Sequence, residues 1–252
     1  MITLTGLTKR YGSFTAVDGI DLKVPKGELF GFLGPNGAGK TTTFRMIAGI
    51  ILPTAGRIQI GGVDLVRQPL IAKRRLGYIP DRPFVYDKIT GAEFLRFVAA
   101  LYDAQDASLE RRIDELLDLF ELTPWKNELT ESYSHGMRQK LIIASALVHR
   151  PEVIVVDEPM VGLDPKGARL LKDLFRQYVN RGGTILMSTH TLEVAEGMCD
   201  RIAIMQTGRI LARGTMADLR EQTESSGASL EDMFLRLTGG FREHQLDLIL
   251  EA

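Results

Sequence analysis

The spacing of apolar residues divides the chain into three parts, and the first part has the pattern of β-strands. Apolar and polar residues alternate in MITLTGLTKRYG at 1–12, in TAVDGIDLKV at 15–24 and in GRIQIGGVDL at 56–65. Alternation with a period of two is typical of half-buried strands, and the third run predicts a hairpin. By contrast, ELFGFL at 28–33 is almost entirely apolar, which predicts a strand buried on both faces. We therefore expect an N-terminal antiparallel β subdomain beside a buried core strand.

The second part, from about residue 84 to residue 150, has the pattern of α-helices. Apolar residues recur every three or four positions in FLRFVAAL at 94–101 and in LERRIDELLDLF at 109–120. A further helical run, GMRQKLIIASALVHR, stops before Pro151, and TPW at 123–125 interrupts the stretch between these runs. This spacing predicts an inserted α-helical subdomain over roughly 84–150.

The third part alternates between strands and helices. EVIVVDEP, GTILMSTH and DRIAIMQTG are short runs rich in β-branched residues, and helical stretches separate them. That order indicates βαβ units, whose strands form a parallel sheet. LEDMFLRLTGG and LDLILEA indicate amphipathic helices in a C-terminal helical extension over roughly 216–252. The expected fold is one α/β domain over residues 1–252, with a mainly parallel sheet at its core.

Composition and charge exclude several classes of protein. The formal net charge is −1 and 44% of the residues are apolar, so we expect a soluble globular chain without bulk attraction to nucleic acid. Cys199 is the single cysteine, which rules out an internal disulfide and argues against a cysteine-based zinc site. The N-terminus does not have the pattern of a secretory signal, and no window approaches the ~20 apolar residues of a membrane helix. Any action at a membrane is therefore expected to need a partner.

The segment GPNGAGKT at 34–41 fits the phosphate-loop pattern G-x-x-x-x-G-K-[ST], between the buried strand and an apolar helical stretch. Glycines let backbone N–H groups approach phosphate oxygens, and a helix N-terminus near Lys40 adds positive potential. We expect Lys40 to contact the outer phosphates, Thr41 to hold Mg²⁺ and Thr42 to reach an inner phosphate. The expected nucleotide-binding residues of this loop are Asn36, Gly37, Ala38, Gly39, Lys40, Thr41 and Thr42. The pattern predicts a P-loop NTPase core without choosing among ATPase, GTPase and kinase.

Two adjacent carboxylates, Asp157 and Glu158, end the predicted strand VIVVD. The C-terminal ends of parallel strands border the crevice in which a phosphate loop binds its ligand. Asp157 is suited to the Mg²⁺ shell, and Glu158 is suited to orienting or deprotonating a water molecule. His190 ends the next predicted strand, where its imidazole could hydrogen-bond a terminal phosphate. A solvent-exposed acid pair and a structural histidine are the alternatives.

The order of these motifs resembles the ATP-binding subunit of ABC transporters along nearly the whole chain. YSHGMRQKL at 133–141 resembles the signature segment of that family, and GLDP at 162–165 resembles the loop after the catalytic carboxylate, with Asp164 as its acid. Tyr11 matches the aromatic residue that stacks on adenine, and His190 matches the switch histidine. The resemblance implies an ATPase that uses ATP and Mg²⁺, with Glu158, His190 and Lys40 in catalysis.

The resemblance also implies an assembly. Two copies would hold two ATP molecules head to tail, each between the phosphate loop of one copy and Ser134 and Gly136 of the other. Ser134 precedes an apolar-periodic helix, as an N-cap residue would, so a terminal phosphate could dock at the positive end of that helix. The family further implies a separate transmembrane permease as partner, with this chain bound peripherally on the cytoplasmic face of the cell membrane. No nucleic-acid partner is expected.

Three residues depart from the family pattern. The signature segment has His135 where glycine is usual and Met137 where glutamine is usual, and His135 either hydrogen-bonds across the dimer or points to water. Asp81 stands at the usual glutamine of the segment LGYIPD, within reach of the Mg²⁺ shell through water. Because an ionised carboxylate cannot donate a hydrogen bond, this substitution affects the expected coupling between the site and its partner.

LGYIPD and SLEDMFLRLTG at 229–239 are similar to exporter-type systems whose ATPase is a separate chain. We therefore expect an ATP-hydrolysing subunit that drives export through the permease. One alternative is a soluble ABC-type ATPase that acts on ribosomes or DNA, although the chain has one phosphate loop, no heptad run and one cysteine. A non-transport regulatory ATPase is a further alternative, against which the pair of Asp157 and Glu158 argues.

Overall fold

Two β-sheets and the helices around them make up the described part of the chain. The computed structural model describes residues 1–224 and 227–239. The strands are β1 (Ile2–Tyr11), β2 (Phe14–Val24), β3 (Leu29–Leu33), β4 (Ala55–Ile60), β5 (Val63–Asp64), β6 (Leu76–Ile79), β7 (Val153–Asp157), β8 (Thr184–Ser188), β9 (Arg201–Gln206) and β10 (Arg209–Gly214). The helices are α1 (Lys40–Ile47), α2 (Pro69–Arg74), α3 (Gly91–Leu101), α4 (Leu109–Leu119), α5 (His135–Leu147), α6 (Pro165–Asn180), α7 (Leu192–Met198), α8 (Met216–Gln222) and α9 (Leu230–Thr238).

The N-terminal strands form an antiparallel sheet in the order β2–β1–β4–β5. In β2, the alternating pattern buries Ile20, Leu22 and Val24, while the residues between them are exposed. β4 and β5 pair through Gln59 with Asp64, and through Ile60 with Val63, so the predicted hairpin is confirmed. One apolar face of this sheet therefore packs against the core, as its period-two pattern requires.

The second sheet is mainly parallel, as the sequence predicts. Its six strands lie in the order β10–β9–β3–β8–β7–β6, and every neighbouring pair except β9–β10 is parallel. All residues of β3, β7 and β8 are buried, which explains why these strands have continuous apolar runs instead of alternation. Because the three strands run in the same direction, the residues that follow them emerge at one edge of the sheet.

The apolar pattern did not predict strand β6, which has only four residues. This strand pairs with β7 from Leu76 opposite Val153 to Ile79 opposite Val156. A Cβ atom at Gly77 would lie 2.5 Å from the carbonyl oxygen of Ala146, so the glycine lets α5 pack closely on the strand. A glycine that serves such packing weakens the local strand signal, which is why the pattern does not reveal the strand.

Helices form in the middle region, where the sequence predicts them. α3, α4 and α5 contribute apolar side chains to one core cluster, among them Phe94, Ile113 and Leu141. α3 begins with a capping box in which the Thr90 hydroxyl accepts from the Glu93 N–H at 3.2 Å, and the Thr90 N–H donates to the Glu93 carboxylate at 2.8 Å. The limits 84–150 of a separate helical subdomain stay a prediction.

The C-terminal helices α8 and α9 pack against the end of the parallel sheet. Leu219, Leu230 and Met233 are buried in a cluster that also contains Leu33 of β3. The segment LDLILEA, which we expect to be helical, lies outside the described residues. None of the helices in the described ranges combines the length and the apolar character that crossing a bilayer requires.

A half-buried histidine joins the middle helices to the parallel sheet. The His149 ring stacks on Tyr102 at the end of α3, with 3.8 Å between ring centroids, and its Nε2 donates to the carbonyl oxygen of Leu76 in β6 at 3.1 Å. Its Nδ1 is buried and has no hydrogen-bond partner. Burial, together with the positive charge of Arg112, lowers the pKa of His149 from 6.5 to about 4, against the opposing effect of the Leu76 carbonyl. The His149 ring is therefore neutral in the folded chain near neutral pH.

The free energy of unfolding should fall as the pH is lowered from about 6.5 towards 4, because the unfolded chain then binds a proton that folded His149 resists. Above pH 6.5, the ring is neutral in both the folded and the unfolded chain, so it no longer lowers the free energy of unfolding. We expect the stability of His149→Gln to depend less on pH over this window. Urea unfolding of the parent and the variant at about pH 7 and about pH 5 measures the difference. An equal loss of stability in both proteins would contradict the prediction.

Candidate functional site

The phosphate loop lies where the two sheets meet, and its glycines make that position possible. A Cβ atom at Gly34 would lie 2.3 Å from the carbonyl oxygen of Met205 in β9. At Gly39, whose φ is +106°, a Cβ atom would lie 2.4 Å from the carbonyl oxygen of Ala16 in β2. No side chain fits at either position, so the loop lies directly against backbone atoms of both sheets. α1 then begins at Lys40, and its first residues line one cavity together with Asp157 at the end of β7.

The Lys40 side chain folds back over this loop. Its Nζ donates to the carbonyl oxygens of Gly34 at 2.6 Å and Pro35 at 3.2 Å, and the residue is only 8% exposed. Burial lowers the pKa of Lys40, while the charges of Glu158 and Asp157 raise it. The ammonium group is thus held at the centre of the loop by neutral carbonyl groups, which a charged phosphate oxygen could replace.

A cavity of about 850 Å³ lies beside the loop and contains most of the predicted site. The predicted residues that line it are Asn36, Gly37, Ala38, Gly39, Lys40, Thr41, Thr42, Asp81, Asp157, Glu158 and His190. The residues that line it without having been predicted as site residues are Phe14, Ala16, Arg82, Pro83, His135, Arg138 and Val161. Phe14 lies three residues from the predicted adenine-binding Tyr11, and Arg82–Pro83 and His135 lie next to residues predicted for the site. No local signal indicates Ala16, Arg138 or Val161.

Asp157 ends β7 and is almost completely buried, with 1% of its surface exposed. The Ser188 hydroxyl at the end of β8 donates to its Oδ1, while its Oδ2 is buried without a hydrogen bond of normal geometry. Burial raises the pKa of Asp157, and the hydroxyl groups of Ser188 and Thr41 act in the opposite direction. An orphaned buried carboxylate oxygen is costly unless a cation or water binds it. This donor therefore fits Mg²⁺, which prefers few carboxylates and keeps several waters.

No group of three or more His, Cys, Asp or Glu side chains within residues 1–224 and 227–239 could hold a metal ion by itself. The predicted Mg²⁺ set contains only two such residues, Asp157 and Asp81, with Thr41 as the third ligand. A phosphate-bound Mg²⁺ takes its remaining ligands from the nucleotide and from water. The absence of a larger cluster in the described ranges is therefore compatible with this set, which stays a prediction.

Glu158 follows β7 in a left-handed backbone conformation, with a φ of +52°. Its N–H lies 3.1 Å from the Ser188 hydroxyl oxygen and 3.3 Å from the Ser188 carbonyl oxygen. Its carboxylate Oε2 is 2.9 Å from Nδ1 of His190, whose side chain remains 64% exposed. Left-handed φ values are strained for residues other than glycine and occur at functional sites. Here the conformation turns the carboxylate from the strand into the cavity.

The signature segment places its first turn beside the loop that follows Glu158. Ser134 is the N-cap of α5, as predicted, and its Oγ accepts from the Met137 N–H at 3.2 Å. A Cβ atom at Gly136 would lie 3.1 Å from the carbonyl oxygen of Gly162, and the His135 ring lies against the Cα of the same glycine. Neither expected role of His135 included this contact. Ser134 and Gly136 are not among the residues that line the cavity, so their role towards a second copy stays a prediction.

Tyr11 lies at the end of β1, opposite Phe14 of β2. Tyr11 is 50% exposed, and the Lys9 ammonium group lies 5.1 Å from its ring centroid. Phe14 lines the cavity and Tyr11 does not. The role of Tyr11 as the adenine-stacking residue stays a prediction.

The strand β8 ends at Ser188, so His190 lies two residues beyond it and not at its end as expected. A phosphate loop, a strand-end acid pair and this histidine define a P-loop nucleotide-hydrolysing cassette. Residues 17–161 match the family model described as ABC transporter. The chain is 38% identical to the daunorubicin resistance ATP-binding protein DrrA3 of Streptomyces coeruleorubidus, over 94% of this chain and 74% of that protein. It is 36% identical to the linearmycin resistance ATP-binding protein LnrL of Bacillus subtilis, over 87% of this chain and 70% of that protein.

Solved structures lead to the same family. An ATP-binding subunit of an ABC transporter matches with a TM-score of 0.90 and 35% identity, over 94% of this chain and 99% of that one. A dimeric ATP-binding cassette in a post-hydrolysis state with ADP and phosphate matches with a TM-score of 0.78 and 25% identity, over 86% of this chain and 99% of that one. The chain therefore belongs to the ATP-binding subunits of ABC transporters, which are ATPases.

Replacing Lys40 by alanine should weaken ATP binding by at least about tenfold, because hydrogen bonds to charged groups contribute ~1.5–3 kcal/mol. Titration with a fluorescent ATP analogue measures the dissociation constant. Lys172→Ala is the matched control, since that lysine lies on the exposed face of α6, away from the cavity. Equal affinities for the Lys40 variant and the parent would contradict the role of this lysine.

Proposed function

We propose that this chain binds ATP with Mg²⁺ between two head-to-tail copies, hydrolyses it, and thereby drives export through a separate transmembrane permease. The carrying observation is the convergence of Lys40, Asp157, Glu158 and His190 on one cavity. The names of the daunorubicin and linearmycin resistance relatives support export as the direction of transport. They do not favour the alternatives of a soluble ATPase on ribosomes or DNA or a regulatory ATPase.

The positive charge of Lys40 attracts the phosphates of ATP. The ammonium group exchanges the carbonyl oxygens of Gly34 and Pro35 for phosphate oxygens, which are stronger acceptors because they are charged. The first N–H groups of α1 have no partner within the helix, so they are available to the phosphates as well. Thr42 lies in this first turn and contacts an inner phosphate. Phe14 at the cavity wall offers an apolar surface for the base, as Tyr11 beside it does.

The residues that would hold Mg²⁺ are Asp157 and Thr41, and Asp81 would contribute through a water molecule. The chemistry that the ion would supply there is neutralisation of charge on the phosphate that is transferred. The Ser188 hydrogen bond occupies Oδ1 of Asp157 and leaves Oδ2 free for the ion. Burial raises the pKa of Asp157, and a cation bound there would oppose this effect by favouring the ionised carboxylate.

Glu158 orients and deprotonates the attacking water. Its backbone is fixed by Ser188, and its carboxylate is fixed by His190 at 2.9 Å, so the group has a defined direction in the cavity. A general base acts well only when it is held within hydrogen-bond reach of its proton. His190 lines the cavity and is mostly exposed, so its ring can contact the terminal phosphate.

Two copies complete each site. Two of the matched solved cassettes are dimeric, and one of them holds ADP and phosphate. In this chain, Ser134 and the N-terminus of α5 are exposed, so they are accessible to the terminal phosphate on a second copy. The positive end of the helix attracts that phosphate only while it is bound, and hydrolysis therefore releases the two copies.

Contact with the permease is assigned to an exposed aromatic patch that consists of Phe84, Tyr86 and Phe97. The rings of Phe84 and Tyr86 are 5.6 Å apart, and those of Tyr86 and Phe97 are 5.5 Å apart, both edge to face. Phe84 is 71% exposed, and contiguous apolar surface of this kind marks interaction sites. Arg82 and Pro83, which line the nucleotide cavity, immediately precede the patch. Such a contact places the chain on the cytoplasmic face of the membrane through its partner.

Replacing Glu158 by glutamine should slow ATP hydrolysis by about 10²–10³-fold, the range for loss of one preorganised catalytic group. ATP affinity should be retained, because the amide keeps the size of the side chain and Lys40 is unchanged. Phosphate release at saturating MgATP gives the rate, and Glu115→Gln on the exposed face of α4 is the control. Turnover of the Glu158 variant at the parental rate would remove its assignment as the base.

The double substitution of Phe84 and Phe97 by serine should reduce membrane binding by at least about tenfold, because central aromatic contacts are worth ~2 kcal/mol or more each. The measurement is the fraction of chain that sediments with membranes after co-expression with its cognate membrane subunit. Leu211→Ser is the matched control, since Leu211 is also an exposed apolar residue but lies in β10. Undiminished sedimentation of the double variant would place the permease contact elsewhere.

A further inference from the structure

His135 stands at the start of α5, where its ring packs on Gly162. A Cβ atom at Gly162 would lie 2.4 Å from Cδ2 and 2.5 Å from Nε2 of the imidazole, so the ring occupies the space of that missing atom. No hydrogen bond or ion pair involves this ring in the part of the chain that the structure describes. The ring therefore contacts Gly162 through van der Waals packing alone. The next residue, Gly136, adds a second contact, because its Cβ position is 3.1 Å from the carbonyl oxygen of Gly162.

Gly162 lies in the middle of a short loop whose two ends are fixed. At one end, the Glu158 N–H is held by Ser188, and at the other, the Asp164 side chain accepts from the Gly167 N–H at 2.9 Å as the N-cap of α6. Between these ends the loop makes two turns, from Val161 N–H to the Glu158 carbonyl and from Leu163 N–H to the Met160 carbonyl. The φ of Gly162 is +81°, so this conformation also depends on glycine.

The contact joins two parts of the machinery within one copy. His135 directly follows Ser134, at the helix end assigned to the phosphate on a second copy, and Glu158 begins the loop that the ring covers. His135, Glu158 and Val161 also line the same cavity. We infer that His135 is a positioning residue, whose ring holds the loop after Glu158 and so keeps the carboxylate in its catalytic direction. This inference rests on the proposed role of Glu158 in ATP hydrolysis.

His135 acts by restraining the position of this loop through packing. The two turns of the loop are formed by hydrogen bonds within the loop itself, so they do not hold it against α5. A shift of the loop would act on the left-handed backbone of Glu158 at its start. The imidazole prevents this shift by filling the space over Gly162. When a phosphate docks at the first turn of α5 and moves it, the contact between His135 and Gly162 therefore also moves Glu158 of the same copy.

Three substitutions of His135 separate packing from polar contact. Glycine removes the ring, asparagine keeps a polar group without the ring, and phenylalanine keeps a planar ring without polar atoms. We expect kcat for ATP hydrolysis to fall about tenfold in the glycine and asparagine variants, within the ~100-fold that misplacement of a catalytic group can cost. KM for ATP should stay within about twofold, and the phenylalanine variant should restore most of kcat.

The rates are expressed per nucleotide-binding site, so that a partly unfolded sample does not mimic a loss of kcat. If asparagine preserved kcat and phenylalanine did not, His135 would make a polar contact and the inference would be overturned. Parental kcat in the glycine variant, or a raised KM with unchanged kcat, would overturn it as well. A parent chain that released no phosphate would overturn the proposed function together with this inference, whereas inactivity of Glu158→Gln with no effect at His135 would overturn the inference alone.

A double-mutant cycle with Gly162 tests the contact itself. Gly162→Ala introduces a Cβ atom that collides with the ring in the parent, but only strains the backbone when His135 is glycine. The loss of kcat caused by Gly162→Ala should therefore be at least about threefold larger in the parent than in the His135→Gly background, since residues in contact show coupled effects. Equal losses in the two backgrounds would show that the residues act independently and would overturn the inference.

Discussion

The close approach of the phosphate loop to two backbone carbonyl groups is the constraint on which the site depends. Gly39 lies against the carbonyl of Ala16 in the antiparallel sheet, and Gly34 lies against that of Met205 in the parallel sheet. The loop therefore lies in close contact with both sheets, and this position fixes where α1 begins, directly after Gly39. Any side chain at these positions would separate the sheets or displace the loop, and Lys40 would lose its position at the cavity centre.

The chemistry of the site follows from the different surroundings of two neighbouring carboxylates. Asp157 still belongs to β7, where it is buried and bonded to Ser188, which suits it to a cation. Glu158 is one residue further, where the left-handed backbone turns it away from the strand towards His190 and the cavity. Adjacent positions in the sequence thus have different surroundings, because one lies inside the sheet and the other lies just beyond it, and we propose separate roles for them on that ground.

Much of the fold could be predicted because its signals are local. The buried runs of β3, β7 and β8, the hairpin of β4 and β5, and the helical spacing from 94 to 147 were each visible within a few residues. The N-cap at Ser134 was visible for the same reason. β6 was not, because Gly77 serves the packing of α5 and removes the apolar pattern of a strand. Arg138 and Val161 line the cavity through packing between distant segments, which no spacing rule reveals.

By itself, the sequence determined most of the elements but not β6, together with the phosphate loop and its lysine and the strand-end carboxylates, since each of these depends on residues that are neighbours in the chain. Only the tertiary structure decided which distant residues meet. Ser188 reaches Asp157 because β7 and β8 are paired, and the His135 ring covers Gly162 because α5 packs beside the loop before α6. Such contacts arise from the shapes of packed elements, whereas periodicity along the chain reports only which face of an element is buried.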